Sequence, residues 1–211
     1  MKIIYLVLLF LPLMAQAKYI ASGGAEVATG LNSSSVDSSI LPGVRGEIEY
    51  GHASFPRFTV FSSIAYFQGP GKVQYDYTDP DDLNNTQIDN VQTKVSVTRL
   101  NLGLRMKLIE QKDLSLYAGA GFMFGALNLN LDRGNFKGKA GPSDDFEQNE
   151  HKNFRGYFGE LGGEMKLNQN FGVRLSGQIS TATTNTFEIL DDSKVSFSQM
   201  SVALSYLWYI N

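Results

Sequence analysis

Few residues in this sequence can do chemistry, because it holds two histidines and no cysteine. His52 and Ser54 are separated by a single alanine. A serine nucleophile needs an adjacent base and a carboxylate to orient that base, and Glu47 or Glu49 would fill the third role. Spacing alone does not make a triad, since the groups must converge in space, and a solvent-facing turn histidine is the plainer reading. His151 stands among Asp144, Asp145, Glu147 and Glu150. That run of mixed charge contains Gly141-Pro142 and would not hold metal ligands in a fixed geometry, so it reads as a solvated loop. Asp79-Pro80-Asp81-Asp82 offers carboxylate oxygens to calcium but lacks the alternating ligands and glycine of an EF-hand loop. The absence of cysteine removes disulfides, thiolate metal sites and thiol nucleophiles. No catalytic residue, metal ligand or cofactor is expected.

A larger set of charged residues is distributed by period instead of by cluster. In Val44-Arg45-Gly46-Glu47-Ile48-Glu49-Tyr50, and again in Arg99-Leu100-Asn101-Leu102-Gly103-Leu104-Arg105-Met106-Lys107-Leu108, every second residue is charged, polar or glycine and the others are apolar. A period of two is that of a strand with two unlike faces. The same alternation appears from Tyr19 to Leu31, with Glu26 on the polar side, and from Phe58 to Tyr66. It continues through Leu114 to Leu129, through Tyr157 to Leu167 with Glu160, Glu164 and Lys166, and through Phe171 to Ile179 with Arg174. The final stretch, Lys194 to Asn211, has Met200, Val202, Leu204, Tyr206, Trp208 and Ile210 on one face. That makes eight strands. Val95 and Val97 fall out of phase with Leu100, which predicts a bulge upstream of it.

The connections alternate in length: long at 32–40, 69–90, 132–153 and 185–193, and short at 53–56, 110–113 and 168–170. A transmembrane barrel has this alternation, with long loops outside and short turns in the periplasm. A soluble barrel shares it but places apolar side chains inside. Here the charges share a face with glycines, and the aromatic strand ends share a face with leucines. The expected fold is therefore all-β, an eight-stranded antiparallel up-and-down transmembrane barrel spanning 18–211. Its lumen would be filled by Glu26, Arg45, Glu47, Glu49, Arg99, Arg105, Lys107, Glu160, Glu164, Lys166 and Arg174, five acids facing six bases. Tyr19, Tyr50, Tyr66, Tyr157, Phe171, Tyr206 and Trp208 would form two interfacial girdles, because they lie near the ends of the apolar stripes.

Met1-Lys2, the apolar run to Met14 and Ala15-Gln16-Ala17 read as a cleaved secretory signal peptide, 1–17, since the run is too short to span a bilayer. With Lys2 removed, 17 basic residues stand against 21 acidic ones, which argues against nucleic acid as a partner. The four long connections carry 14 acidic and 5 basic residues, a property of soluble loops that specifies no partner.

In Leu116-Tyr117-Ala118-Gly119-Ala120-Gly121 and in the aromatic closing strand, the chain resembles the small bacterial outer-membrane barrels, the family that includes OmpX and the OmpA transmembrane domain. The resemblance covers the whole mature chain. It implies an outer-membrane location, contact with outer-membrane lipids and lipopolysaccharide, a monomer, and assembly by the outer-membrane insertion machinery. The chain departs from that family by ending Tyr209-Ile210-Asn211, where an aromatic residue usually stands last. His52-Ala53-Ser54 is similar to the His-x-Ser element of lipid A deacylases, but it falls early in the chain and at a periplasmic turn, away from the acyl chains of the outer leaflet. A non-enzymatic structural or surface-interaction role is the leading expectation. A deacylase-like enzyme and a small-solute channel are the alternatives.

Overall fold

Alternating side chains form strands here, and the strands close on themselves. The computed structural model describes residues 17–29, 36–38, 40–78, 86–131, 149–187 and 192–210. Its strands are β1 (Ala17–Thr29), β2 (Val36–Ser38), β3 (Ile40–His52), β4 (Phe58–Thr78), β5 (Thr86–Glu110), β6 (Leu114–Leu131), β7 (Asn149–Lys166), β8 (Phe171–Phe187) and β9 (Asp192–Ile210). Each strand of the wall pairs antiparallel with its neighbour, and β9 returns to β1 with Ala21 opposite Trp208 and Val27 opposite Val202. Eight strands thus form a closed all-antiparallel barrel. Short β2 continues β3 along the same edge of β4, from Val36 opposite Val73 to Ser38 opposite Gly71, with its register shifted by one residue from that of β3. Closure pairs the backbone of every wall strand on both sides and leaves the ring no edge, which is what a sheet in lipid requires.

The two faces follow the expected phase. Val44, Ile48, Ile64, Leu104, Phe122, Leu161, Ile179 and Leu204 all point outward and are exposed. At roughly 3.3 Å per residue and a strand tilt of about 40°, the stripe from Leu114 to Phe124 rises about 25 Å, the height of an outer-membrane apolar band. An outward face this apolar is the solvent-exposed face of a protein whose solvent is lipid.

Three expectations about the strands need correction. First, the register of β5 runs without interruption from Thr93 to Met106 against both neighbours, so there is no bulge near Val95 and Val97. Both valines face the lumen and are buried. The bulge lies between Lys107 and Ile109, where it turns both Leu108 (51% exposed) and Ile109 (49%) outward. Second, parts of the segments read as long loops are strand. The β4–β5 hairpin continues in register to Thr78 opposite Thr86, β7 begins at Asn149, and β8 and β9 remain paired to Phe187 opposite Asp192. Third, the interior is polar only in part. Leu41, Phe67, Val95, Val97, Met123, Leu127, Leu129, Phe154, Ala182 and Phe197 form an apolar core at the end with long connections. Residues 1–16 and Asp79, Asp81, Asp82, Asp144, Asp145 and Glu147 lie outside the described residues.

Candidate functional site

The charged half of the lumen lies towards the short turns, and its members come from five strands. β3 supplies Arg45, Glu47 and Glu49, β5 supplies Arg105, β6 Tyr117, β7 Glu160 and Glu164, and β8 Arg174, each on the inward phase and each buried. Arg105 lies at the centre. Its Nη1 donates to Glu49 at 2.6 Å, its Nη2 to Glu47 Oε2 at 2.8 Å and to Glu160 Oε2 at 2.8 Å, and its Nε to Glu160 at 3.1 Å. Arg45 donates to Glu47 at 2.5 Å. Arg174 reaches Glu47 and Glu49 from the far wall, and its Nε donates to Glu164 at 3.0 Å. One guanidinium fork can serve several carboxylates because its donors lie in a fixed plane, which is why arginine and not lysine occupies these positions.

Two rings close this network from above. Phe61 and Phe158 meet edge to face at 5.8 Å, and the Arg105 guanidinium carbon lies 3.9 Å from the centre of the Phe61 ring. Gly103 leaves room for both rings, since a Cβ there would stand 2.9 Å from each. Further up, Arg99 Nη2 donates to Glu26 at 2.5 Å, Arg99 Nη1 donates to Gln199 at 3.2 Å, and Ser201 donates to Glu26 at 2.5 Å. Asn101 donates to Gln178 at 3.0 Å. The apolar core begins directly above, with Arg99 lying 4.9 Å from the centre of the Phe67 ring.

Two residues assigned to the lumen by alternation lie elsewhere. Lys107 reaches the mouth at the short-turn end, where its Nζ donates to Glu110 at 2.8 Å and holds that exposed carboxyl below its ordinary range. Lys166 is exposed, with its Nζ 5.5 Å from the centre of the Tyr209 ring. Both are long side chains near strand ends, able to bury their stems and keep the ammonium in water. Among the described residues, five buried carboxylates (Glu26, Glu47, Glu49, Glu160, Glu164) therefore face four guanidiniums (Arg45, Arg99, Arg105, Arg174). The roles of Tyr117, Asn101 and Gln178 were hidden in the sequence. Their only signal is that they share the inward phase with the charges.

The ring centres of Tyr19 and Tyr50 lie 5.6 Å apart, those of Phe171 and Tyr206 5.5 Å, and those of Tyr206 and Trp208, which meet edge to face, 5.2 Å, all on the outer wall near the short turns. Tyr66 and Tyr157 face outward towards the other end, Tyr157 lying 5.5 Å from Phe122. His52 ends β3 and Ser54 lies in the turn after it. There the Ser54 backbone N–H donates to His52 Nδ1 at 3.2 Å, so the contact is a turn hydrogen bond and not a nucleophile held by its base. Glu47 and Glu49 are both engaged by arginines. A cavity of about 140 Å³ lined by His52, Phe55, Phe58, Glu49 and Arg105 opens at this mouth, beside a wider vestibule of about 600 Å³ lined by Lys18, Lys107, Glu110 and Lys166. His151 faces outward on β7 against Asn128.

The closed eight-stranded wall, the apolar outer face and the filled interior define a small outer-membrane barrel. Residues 3–207 match the model of the outer membrane protein beta-barrel domain, and the chain belongs to that family. Similar solved structures include the outer membrane protein OprG from Pseudomonas aeruginosa (13% identity, 92% of this chain and 96% of that one, TM-score 0.62). Neisserial surface protein A is also similar (11%, 91% and 97%, 0.54). So is Ail, the attachment invasion locus protein of Yersinia pestis, in complex with the heparin analogue sucrose octasulfate (13%, 92% and 99%, 0.53). At these identities the likeness is one of fold. No curated protein matches the chain.

Proposed function

We propose that this chain is a closed, non-conducting and non-enzymatic outer-membrane barrel that acts at the cell surface through its extracellular face. The observation that carries the reading is the plug: Arg105 bound to Glu47, Glu49 and Glu160 beneath the Phe61–Phe158 pair. An eight-stranded barrel is only wide enough for side chains to fill, and these side chains fill it. On this reading the short turns face the periplasm and the β4–β5 hairpin stands above the membrane outside. Segment 1–17 directs export, the insertion machinery recognises β9, and the protein stays monomeric in contact with outer-leaflet lipid. The tyrosines and Trp208 sit at the two interfaces, where an amphipathic ring is most stable.

The arrangement around His52 and Ser54 gives no support to a deacylase, since no carboxylate orients the imidazole and Ser54 is exposed. Liposome swelling with small sugars and amino acids tests the closed lumen, and mass spectrometry of lipid A from cells with and without the gene tests the absence of activity. Swelling no faster than in protein-free liposomes, together with an unchanged acyl pattern, is expected. Rapid swelling, or loss of one acyl chain, would replace this reading with a channel or an enzyme.

A further inference from the structure

The cavity at the short-turn mouth is lined by polar atoms that the ion-pair network leaves unused. Glu49 and Glu164 both line it, and both are buried. Towards the arginines each uses one oxygen only: Arg105 Nη1 and Arg174 Nη2 reach Glu49 Oε1, and Arg174 Nε and Nη2 reach Glu164 Oε1. Arg174 Nη2 thus bridges the two carboxyls and sets them side by side. Among the described residues nothing bonds Oε2 of either. His52 lines the same cavity, and its Nδ1 accepts from the Ser54 backbone N–H, so the ring proton is on Nε2. That N–H is buried without a partner among the described residues. A buried donor left unpaired is costly, so the place calls for an acceptor.

Charge around the cavity is unbalanced in one direction. Glu47, Glu49, Glu160 and Glu164 face Arg45, Arg105 and Arg174, so the network beneath the Phe61–Phe158 pair holds one carboxylate more than it has guanidiniums. One positive charge would balance it, whereas a divalent ion would overshoot beside two guanidiniums. Among the described residues no three His, Asp or Glu side chains are placed to share a metal ion. Ile20 and Phe55 make part of the wall apolar. At about 140 Å³ the space is far larger than the roughly 10–15 Å³ that one water needs.

We propose that this cavity binds a small primary amine that carries an oxygen a few bonds from its nitrogen, such as an amino alcohol. Its ammonium donates to Glu49 Oε2 and Glu164 Oε2, as its three N–H donors allow. Its oxygen accepts from His52 Nε2–H, and its carbon stem lies against Ile20 and Phe55. Lys18 and Lys107 also line the cavity and repel a second cationic group, so a monoamine fits better than a diamine. The inference does not depend on a role at the cell surface or on a closed lumen, so amine binding and the swelling test fail independently.

The test is a saturation-transfer NMR titration of aminobutanol with the purified, refolded full chain in zwitterionic micelles, protein-free micelles serving as the blank. Heat-modifiable gel migration reports that each variant is folded. Aminobutanol is expected to bind, while butanol, which lacks the charge, and tetramethylammonium, which lacks the N–H donors, are not. Glu164→Gln should bind about tenfold more weakly, the loss of one hydrogen bond to a charged group. Thr59→Trp, which fills the cavity from its wall, should abolish binding. Thr59 takes no part in the ion pairs, so this variant decides the matter if Glu164→Gln does not fold. Lys94→Gln, outside the barrel wall at the other end and opposite Pro70, should change nothing. No transfer to aminobutanol, equal transfer to butanol, or undiminished binding by the folded variants would overturn the proposal. So would displacement of aminobutanol by millimolar magnesium chloride, since that would make the cavity a site for an inorganic cation.

Discussion

Arg105 and Glu47 show how a barrel can bury charge without being destabilised by it. A carboxylate out of water is costly unless it is paired and its remaining lone pairs are hydrogen-bonded. Glu47 receives Arg45, Arg105 and Arg174, whereas Glu49 shares Arg105 and Arg174 with its neighbours. Removing a central partner leaves other charges stranded, so Arg105→Met is expected to cost about 3–5 kcal/mol, measured as a lowered urea midpoint of the barrel in micelles. Glu47→Gln should cost more than Glu49→Gln, because Glu47 is held by three guanidiniums and Glu49 by two. The reverse order would mean that the number of arginine partners does not govern the plug. Glycines divide similarly. A Cβ at Gly121 would collide with the Leu102 carbonyl oxygen of the adjacent strand, while one at Gly46 meets nothing within 4 Å. Gly121→Val should therefore destabilise by about 2 kcal/mol or more and Gly46→Ala by less than about 0.5 kcal/mol, both read from the same urea titration.

Among the elements, β9 and β5 show what could be read in advance and what could not. β9 was legible because from Gln199 to Trp208 its outward residues are apolar or aromatic and its inward ones, apart from Leu207, are small or polar, so composition and phase agree. β5 was legible only from Arg99 to Lys107. Above Arg99 its inward residues are themselves apolar, and an apolar side chain in a strand does not say whether it faces lipid or an apolar core. Val95 and Val97 therefore mimic a phase slip. The upper β4–β5 hairpin was lost for a related reason. Polar residues with several Asp and Asn look like loop, yet continuous cross-strand pairing holds them extended beyond the membrane. Lys107 and Lys166 satisfy the alternation, but side-chain length carries their charge to the mouth. The natural absence of cysteine makes the corrected phase easy to check: a cysteine replacing Leu100 should react with a membrane-partitioning maleimide, and one replacing Val97 should not. Labelling at Val97 would restore the bulge. Deleting Trp208 to Asn211 removes the pairing of Trp208 with Ala21 and Ile210 with Tyr19. Such a chain should be exported but show no heat-modifiable band, because unpaired strand edges are not tolerated in lipid. Normal migration would show that closure does not depend on these residues.

Across the whole molecule, the lumen is stacked in layers: a vestibule at the short-turn mouth, the Arg105 network, the Phe61–Phe158 pair, the Glu26–Arg99 pair, and an apolar core towards the long connections. A water path would have to break ion pairs in the lower half and open packed aromatic and aliphatic side chains in the upper half. The two barriers differ in kind, so loosening one does not open the other. Planar-bilayer recording of the purified, unmutated protein tests this most directly, with Arg105→Met beside it. The layered lumen predicts no steady unitary conductance from either, since the apolar core remains shut when the charge network is weakened. A reproducible open channel in the unmutated protein, with ion selectivity altered by Arg105→Met, would show that the lumen is a pathway and that the barrel is not plugged.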